Sequence, residues 1–279
     1  MSDSRFRGVK AYKNQAFLNS QASRELRILS EYIEPLSRFK ELQIHDTIVM
    51  FGSSRILARD KAESRLAQAE SEGGDVETAK RELQMSRYYE DTRELARRLT
   101  EWSKALEGTD RRFVICSGGG PGIMEAANRG ASEAKGENIG LNISIPFEQN
   151  ENPYITHRLA FEFHYFFMRK YWFAYLAKAF VIMPGGFGTL DEFMEVLTLI
   201  QTGKIRKKVA VVLYGAEYWD RVLDMQALVD FGMVDAKDLD LFFRTDSVED
   251  AFNYTSTWLT KNVLEGTHDS AVAEATEPV

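Results

Sequence analysis

Cysteine is nearly absent: Cys116 is the single thiol in 279 residues. That excludes an intramolecular disulfide and any zinc cluster built on several cysteines, and it fits a reducing compartment. The four histidines, His45, His157, His164 and His268, show no metal-ligand spacing, so no metal centre is expected. An excess of positive charge is missing too. The formal net charge of -7 argues against a general nucleic-acid binder. The opening residues, MSDSRFRGVK, hold no apolar core, so no secretory signal is expected and the location reads as cytoplasmic. No run is apolar enough to span a membrane. The closest, Phe161 to Phe180, is interrupted by Glu162, Arg169, Lys170 and Lys178 and reads instead as a buried aromatic helix.

Familiar motifs are missing as well. The run Gly118-Gly119-Gly120-Pro121-Gly122 fits no register of G-x-G-x-x-G, because from Gly118 the last position is Ile123. Neither glycine-rich loop ends in the Gly-Lys-Ser/Thr of an ATP-binding P-loop, and no G-x-S-x-G supports a serine hydrolase.

What is present is an alternation of short apolar runs with helical patterns. Strands are expected at Thr47–Phe51, Arg112–Cys116, Ile139–Ile145, Phe180–Met183 and Val209–Tyr214. Helices are expected from about Asn14 to Leu42 with a break or kink at Pro35, and from Asp60 to Leu106 with a break at Gly73-Gly74. Others are expected at Ile123–Ala134, Leu190–Gln201, near Tyr218–Phe231 and at Val248–Leu264. The pattern predicts an α/β fold, a parallel sheet with helices on both faces plus an N-terminal helical extension. Residues 1–45 form the extension, 46–265 the main domain, and 266–279 a polar tail expected to be disordered. Three strands end in glycine-rich loops, and ligands of such sheets bind at the carboxyl ends of strands, so the loops are expected to converge on one site.

The most informative stretch runs from Phe180 to Glu192. A β-branched run stops at Pro184, and Gly185, Gly186, Phe187, Gly188 and Thr189 lead into a helix that carries Glu192. The first N–H groups of a helix lack internal partners and favour an anion, and glycines let backbone approach it. Thr189-Leu190-Asp191-Glu192 also reads as a capping box, in which Glu192 would only satisfy a backbone N–H. Arg169-Lys170 is the second feature: two adjacent cations in the aromatic helix. A buried guanidinium needs an anion, either a ligand or a neighbouring glutamate, and positions about 100° apart meet different partners.

Pro184-Gly185-Gly186-Phe187-Gly188-Thr189-Leu190-Asp191-Glu192 resembles the PGGxGTxxE motif of the LONELY GUY (LOG) family, and Met168-Arg169-Lys170 resembles its Arg-Lys pair. Gly52-Ser53-Ser54 and the Gly118–Gly122 loop look like its first two strand ends, and the resemblance covers roughly Thr47 to Tyr214. It implies a Rossmann-like homodimer or higher homo-oligomer that completes its site across the interface. It implies hydrolysis of a purine nucleoside 5′-monophosphate (AMP or a cytokinin riboside 5′-monophosphate) to free base and ribose 5-phosphate, with no cofactor. By position, Arg169 and Glu192 would be catalytic. Gly52, Ser53, Ser54, Gly119, Gly120, Gly122, Lys170, Gly185, Gly186, Phe187, Gly188, Thr189 and Thr198 would bind the nucleotide. Members have been labelled lysine decarboxylases, but no lysine here makes a case for pyridoxal binding. A non-catalytic nucleotide-binding or sensing protein of the same fold is the competing reading. The extension and the helical insert from about Asp60 to Leu106 depart from compact members.

Overall fold

A computed structural model describes residues 8–106, 111–144 and 152–265. Seven parallel strands form one sheet in the order β4-β3-β2-β1-β5-β6-β7. They are β1 (Thr47–Phe51), β2 (Val114–Ser117), β3 (Asn138–Ile143), β4 (Ala160–Phe163), β5 (Ala177–Ile182), β6 (Ala210–Tyr214) and β7 (Phe243–Thr245). The helices are α1 (Gln15–Leu18), α2 (Arg24–Glu41), α3 (Arg59–Glu72), α4 (Val76–Lys104), α5 (Ile123–Glu133), α6 (Phe166–Leu176), α7 (Phe187–Gln201), α8 (Ala216–Val222), α9 (Met225–Asp230) and α10 (Val248–Leu259).

The central strands are buried on both sides, which is why they read as continuous apolar runs rather than alternating ones. Val49, Phe51, Phe180, Ile182, Val211 and Leu213 face one core with Phe39 of α2, Trp172 and Phe173 of α6 and Phe193 of α7. Ile48, Met50, Ala179, Val181, Val212 and Tyr214 face the other, with Tyr88, Tyr89, Leu95 and Leu99 of α4 and Ile123 of α5. Helices therefore cover both faces, as expected. Strand order reverses between β1 and β5, and a crevice at their carboxyl ends follows from that reversal.

Several boundaries differ from the sequence expectation. The sheet has seven strands, two more than the sequence pattern predicts. The aromatic segment is not one helix: its first residues are β4, with alternating exposed and buried side chains, and its last are β5, leaving only α6 between them. The pattern near Tyr218–Phe231 is two helices, split at Leu223, whose backbone is extended, with the Asp224 side chain capping α9. The expectations for the tail 266–279 and for most of the loop beginning at Glu148 lie outside the described residues.

Pro35 does not break α2, which runs through it. A proline removes the donor that would meet the carbonyl four residues earlier. That carbonyl, on Glu31, accepts instead from the Trp172 indole N–H at 2.8 Å. The Glu31 carboxylate accepts from the backbone N–H groups of His164 and Tyr165, at 2.8 and 3.2 Å, at the entry to α6. The extension is thus docked onto the aromatic helix by the gap its own proline creates.

Candidate active site

Three loops meet above the β1–β5 crevice and are tied by backbone hydrogen bonds. Met183 N–H donates to Phe51 O at 2.8 Å, Ser53 N–H to Pro184 O at 3.0 Å, and Ile123 N–H to Ser53 O at 3.1 Å. Gly122 sits at φ +70, and a Cβ there would fall 2.4 Å from Ser53 O, so only glycine lets the second loop lie on the first. A Cβ on Gly185 would lie 2.1 Å from Thr189 Oγ1. The second loop is braced from below by a buried network. The Ser117 hydroxyl donates to Asn128 Oδ1 at 2.6 Å and accepts from Gly119 N–H at 3.0 Å, while Asn128 Nδ2 donates to Asn138 Oδ1 at 2.9 Å.

These loops frame a cleft of about 650 Å³, within the range of small-molecule sites. Of the residues chosen from sequence, Gly52, Ser53, Ser54, Arg169, Gly185, Gly186, Phe187, Gly188, Thr189 and Glu192 line it. Gly119, Gly120 and Gly122 do not; from that loop Gly118 reaches the cleft. Lys170 and Thr198 do not line it either. Thr198 lies far along α7, exposed, with its hydroxyl on Met194 O at 2.7 Å. Sequence reasoning missed Arg55, Met124 and Tyr218. Tyr218, on the helix after β6, donates from its hydroxyl to Gly185 O at 2.9 Å and so holds the glycine loop.

The helix α7 begins at Phe187, with Gly186 as its N-cap and no side-chain cap. The first internal bond is Leu190 N–H to Gly186 O at 3.0 Å. The N–H groups of Phe187, Gly188 and Thr189 therefore have no partner within the helix and face the cleft with the positive end of the helix dipole. The capping box does not form. Glu192 lies in the second turn, 6% exposed, its carboxylate turned to the cleft.

The two cations separate as adjacent helix positions should. Lys170 is structural: its Nζ lies 2.6 Å from Glu195, 2.8 Å from Asp191 and 3.4 Å from Glu192, tying α6 to α7. Burial works against its charge, but the hydrogen bonds to Asp191 and Glu195 prevail and raise its pKa. Arg169 has no such partner. Its guanidinium carbon lies 5.3 Å from the Phe166 ring and 5.5 Å from the Phe173 ring, and its Nε is buried without a hydrogen-bond partner. Burial pulls its pKa down, only partly offset by Glu192 and Asp191. Burial likewise pushes the Glu192 carboxyl above the ordinary carboxylate range, against the pull of Lys170 and Arg169. A half-buried cation with no ion pair among the described residues and a buried carboxyl line one cleft beside N–H donors that have no partner within their helix. That arrangement suits an anionic ligand and proton or charge chemistry next to it. Cys116 is buried in the core, its thiol pKa raised by burial, so it is a packing residue. Among the described residues no cluster fit for a metal occurs, and no helix is long and apolar enough to cross a membrane.

Residues 124–255 match a family model described as "possible lysine decarboxylase". Among the described residues no lysine lines the cleft, and Lys170 is held by three carboxylates. A cytokinin riboside 5′-monophosphate phosphoribohydrolase of Rhodococcoides fascians is 30% identical over 133 residues, 44% of this chain and 65% of that protein. The cytokinin riboside 5′-monophosphate phosphoribohydrolase LOG7 of Arabidopsis thaliana is 38% identical over 66 residues, 24% of this chain and 30% of that protein. The chain thus spans just under two thirds of the first relative and under a third of the second. A molybdenum cofactor binding protein from Rippkaea orientalis overlays with a TM-score of 0.47 at 15% identity, over 77% of this chain and 98% of that one.

Proposed function

We propose that this chain, which belongs to the LONELY GUY (LOG) family, hydrolyses the N-glycosidic bond of a purine nucleoside 5′-monophosphate, giving free base and ribose 5-phosphate. The observation that carries the reading is the pairing, across one cleft, of Glu192 and unpaired Arg169 beside the free N–H groups of Phe187, Gly188 and Thr189. The 5′-phosphate docks on those N–H groups, and the grip places the ribose over Glu192. Breaking the bond from C1′ to the base builds positive charge on the ribose and negative charge on the leaving base. The Glu192 carboxylate faces the first and orients or deprotonates the attacking water, by the logic of glycosidases. Arg169, already desolvated, stabilises anionic charge with a planar donor set. The base is adenine or a prenylated adenine. None of these steps calls on a cofactor.

The test is a time course with AMP, products separated by chromatography. Adenine and ribose 5-phosphate should appear in equal amounts, and adenosine should turn over far more slowly because it lacks the group that positions the ribose. Binding of AMP without release of base would favour a sensing module. Equal turnover of adenosine would mean that the glycine loop serves something other than phosphate.

The same reading includes a homo-oligomer of at least two copies. The extension packs on α6 within one chain, yet Leu26, Leu29 and Ile33 on α2 stay 46%, 51% and 57% exposed, and Phe166 and Phe167 on α6 stay half exposed. The α2 residues fall on one stripe at helical spacing, and two-fold dimers are the commonest way to bury such a face. Light scattering at micromolar concentration should give at least twice the 31.8 kDa chain mass; a single-chain mass would refute the dimer.

A further inference from the structure

A second cavity of about 230 Å³ opens beside the first. The two share Ser53, Arg55, Gly185, Gly186 and Tyr218, so they adjoin along the glycine loop. Arg169 and Glu192 line only the first; Arg81, Glu82 and Met85, from the start of α4, line only the second. The inserted helix therefore contributes a wall to a groove that adjoins the first cleft.

The cations of that wall are the informative part. Arginines on α3 and α4 are otherwise matched to carboxylates: Arg65 to Glu82 at 2.8 Å, Arg87 to Glu217 at 2.6 Å, Arg93 to Glu133 at 2.6 Å, Arg97 to Glu94 at 2.7 Å and Arg98 to Glu249 at 2.6 Å. Arg81 is the exception on α4. Its hydrogen-bond partner is the hydroxyl of Thr78, at 2.8 Å, which in turn donates to Asp75 Oδ2 at 2.6 Å, so Arg81 is felt at Asp75 through Thr78 but makes no direct ion pair among the described residues. Glu82, the one acid lining the groove among the described residues, is engaged by Arg65. Across the groove, the Arg55 side chain makes no hydrogen bond or ion pair among the described residues, while its backbone N–H is fixed on Ser53 Oγ at 3.1 Å. Two exposed guanidinium groups without a direct ion pair among the described residues thus line a cavity that touches Gly185 and Gly186, just before the start of α7.

We infer that this groove is a second anion subsite and that the cleft binds nucleoside 5′-diphosphates, the first phosphate on the α7 N-terminus and the second between Arg55 and Arg81. The assignment rests on the reading that the α7 N-terminus holds the 5′-phosphate. Guanidinium groups suit phosphate oxygens through paired, charge-assisted hydrogen bonds. The role is one of binding, so a diphosphate competes with the monophosphate for the same loop.

Calorimetric titration of the full chain at low salt, with AMP, ADP, orthophosphate and pyrophosphate, tests it. The unaltered protein should bind ADP at least as tightly as AMP, and pyrophosphate about tenfold more tightly than orthophosphate. Arg81→Gln, an exposed substitution, should weaken ADP and pyrophosphate about tenfold and leave AMP binding and AMP turnover unchanged, and Arg81→Lys should recover part of the loss. ADP binding far weaker than AMP, or an Arg81→Gln effect that is absent or equal for both nucleotides, overturns the subsite. Tighter AMP binding on adding orthophosphate would make the second anion a separate ion and overturn the diphosphate assignment. The predicted pattern without release of base from AMP would sink the hydrolase reading and leave the subsite standing.

Discussion

Glu192→Gln is expected to lose turnover by roughly a hundredfold or more while melting no earlier than the unaltered protein at neutral pH. The substitution keeps size and hydrogen bonding and removes the charge. Glu192 is buried, and burial raises its carboxyl pKa above the unfolded value. For a group shifted in that direction, the stabilising contribution is complete below the unfolded pKa and is lost as pH rises through the folded one. At neutral pH the native carboxyl thus sits at a cost that the amide does not carry. A cap would behave in the opposite way, losing about 1 kcal/mol of stability with activity kept, so turnover and melting temperature on one sample separate the two. The same shift sets the pH profile. If ionised Glu192 serves the water, the acid limb of kcat/KM should fall above the ordinary carboxylate range. A limb at the position of a free glutamate would count against it.

Arg169→Met should also abolish most activity, by roughly a hundredfold, and should raise rather than lower the melting temperature. Its guanidinium is partly desolvated between Phe166 and Phe173 and makes no ion pair among the described residues, so an apolar side chain of similar length relieves a charge that Glu192 and Asp191 only partly offset. The neighbouring Lys170→Met should have the opposite effect on stability. It leaves Asp191, Glu192 and Glu195 facing one another without their common cation, and the protein should melt lower. If Arg169→Met melts lower as Lys170→Met does, Arg169 is a structural residue and its place in the mechanism is lost.

These paired outcomes mark where sequence reading ends. That Arg169 and Lys170 meet different partners follows from helix geometry alone. Which of them is paired does not, because it depends on Asp191 and Glu195 being carried past by α7. The strands β1 and β6 were legible because both of their faces are buried, which leaves unbroken apolar runs. By contrast, β4 alternates exposed and buried residues at the sheet edge, and its Phe161 and Phe163 merge into the aromatics of α6. β7 is three residues long and has no pattern to detect. The glycines of the loop after β5 marked the anion site but hid the start of α7, since Gly186 caps the helix and Gly188 lies in its first turn. Arg55 and Tyr218 carried no motif; only the approach of three distant loops makes them part of the cleft. Thr198 rested on resemblance, and its hydroxyl is occupied within its own helix.

The bonds that join those loops have a kinetic meaning. Phe51 pairs with Ile182, and Ser53 bridges Pro184 on one side and Ile123 on the other, so the loops are joined by contacts between residues far apart in the sequence. Contacts of high sequence separation carry a loop-closure cost that must be met before they reward the chain. The insert, α5, β3, β4 and α6 all lie between Ser53 and Pro184. No fragment ending before β5 can hold the cleft, and during synthesis the loops can join only once β5 and the start of α7 have been made. A ligand that bridges the loops therefore acts as a clasp on the whole sheet and slows global unfolding, rather than merely quieting the rim where it sits.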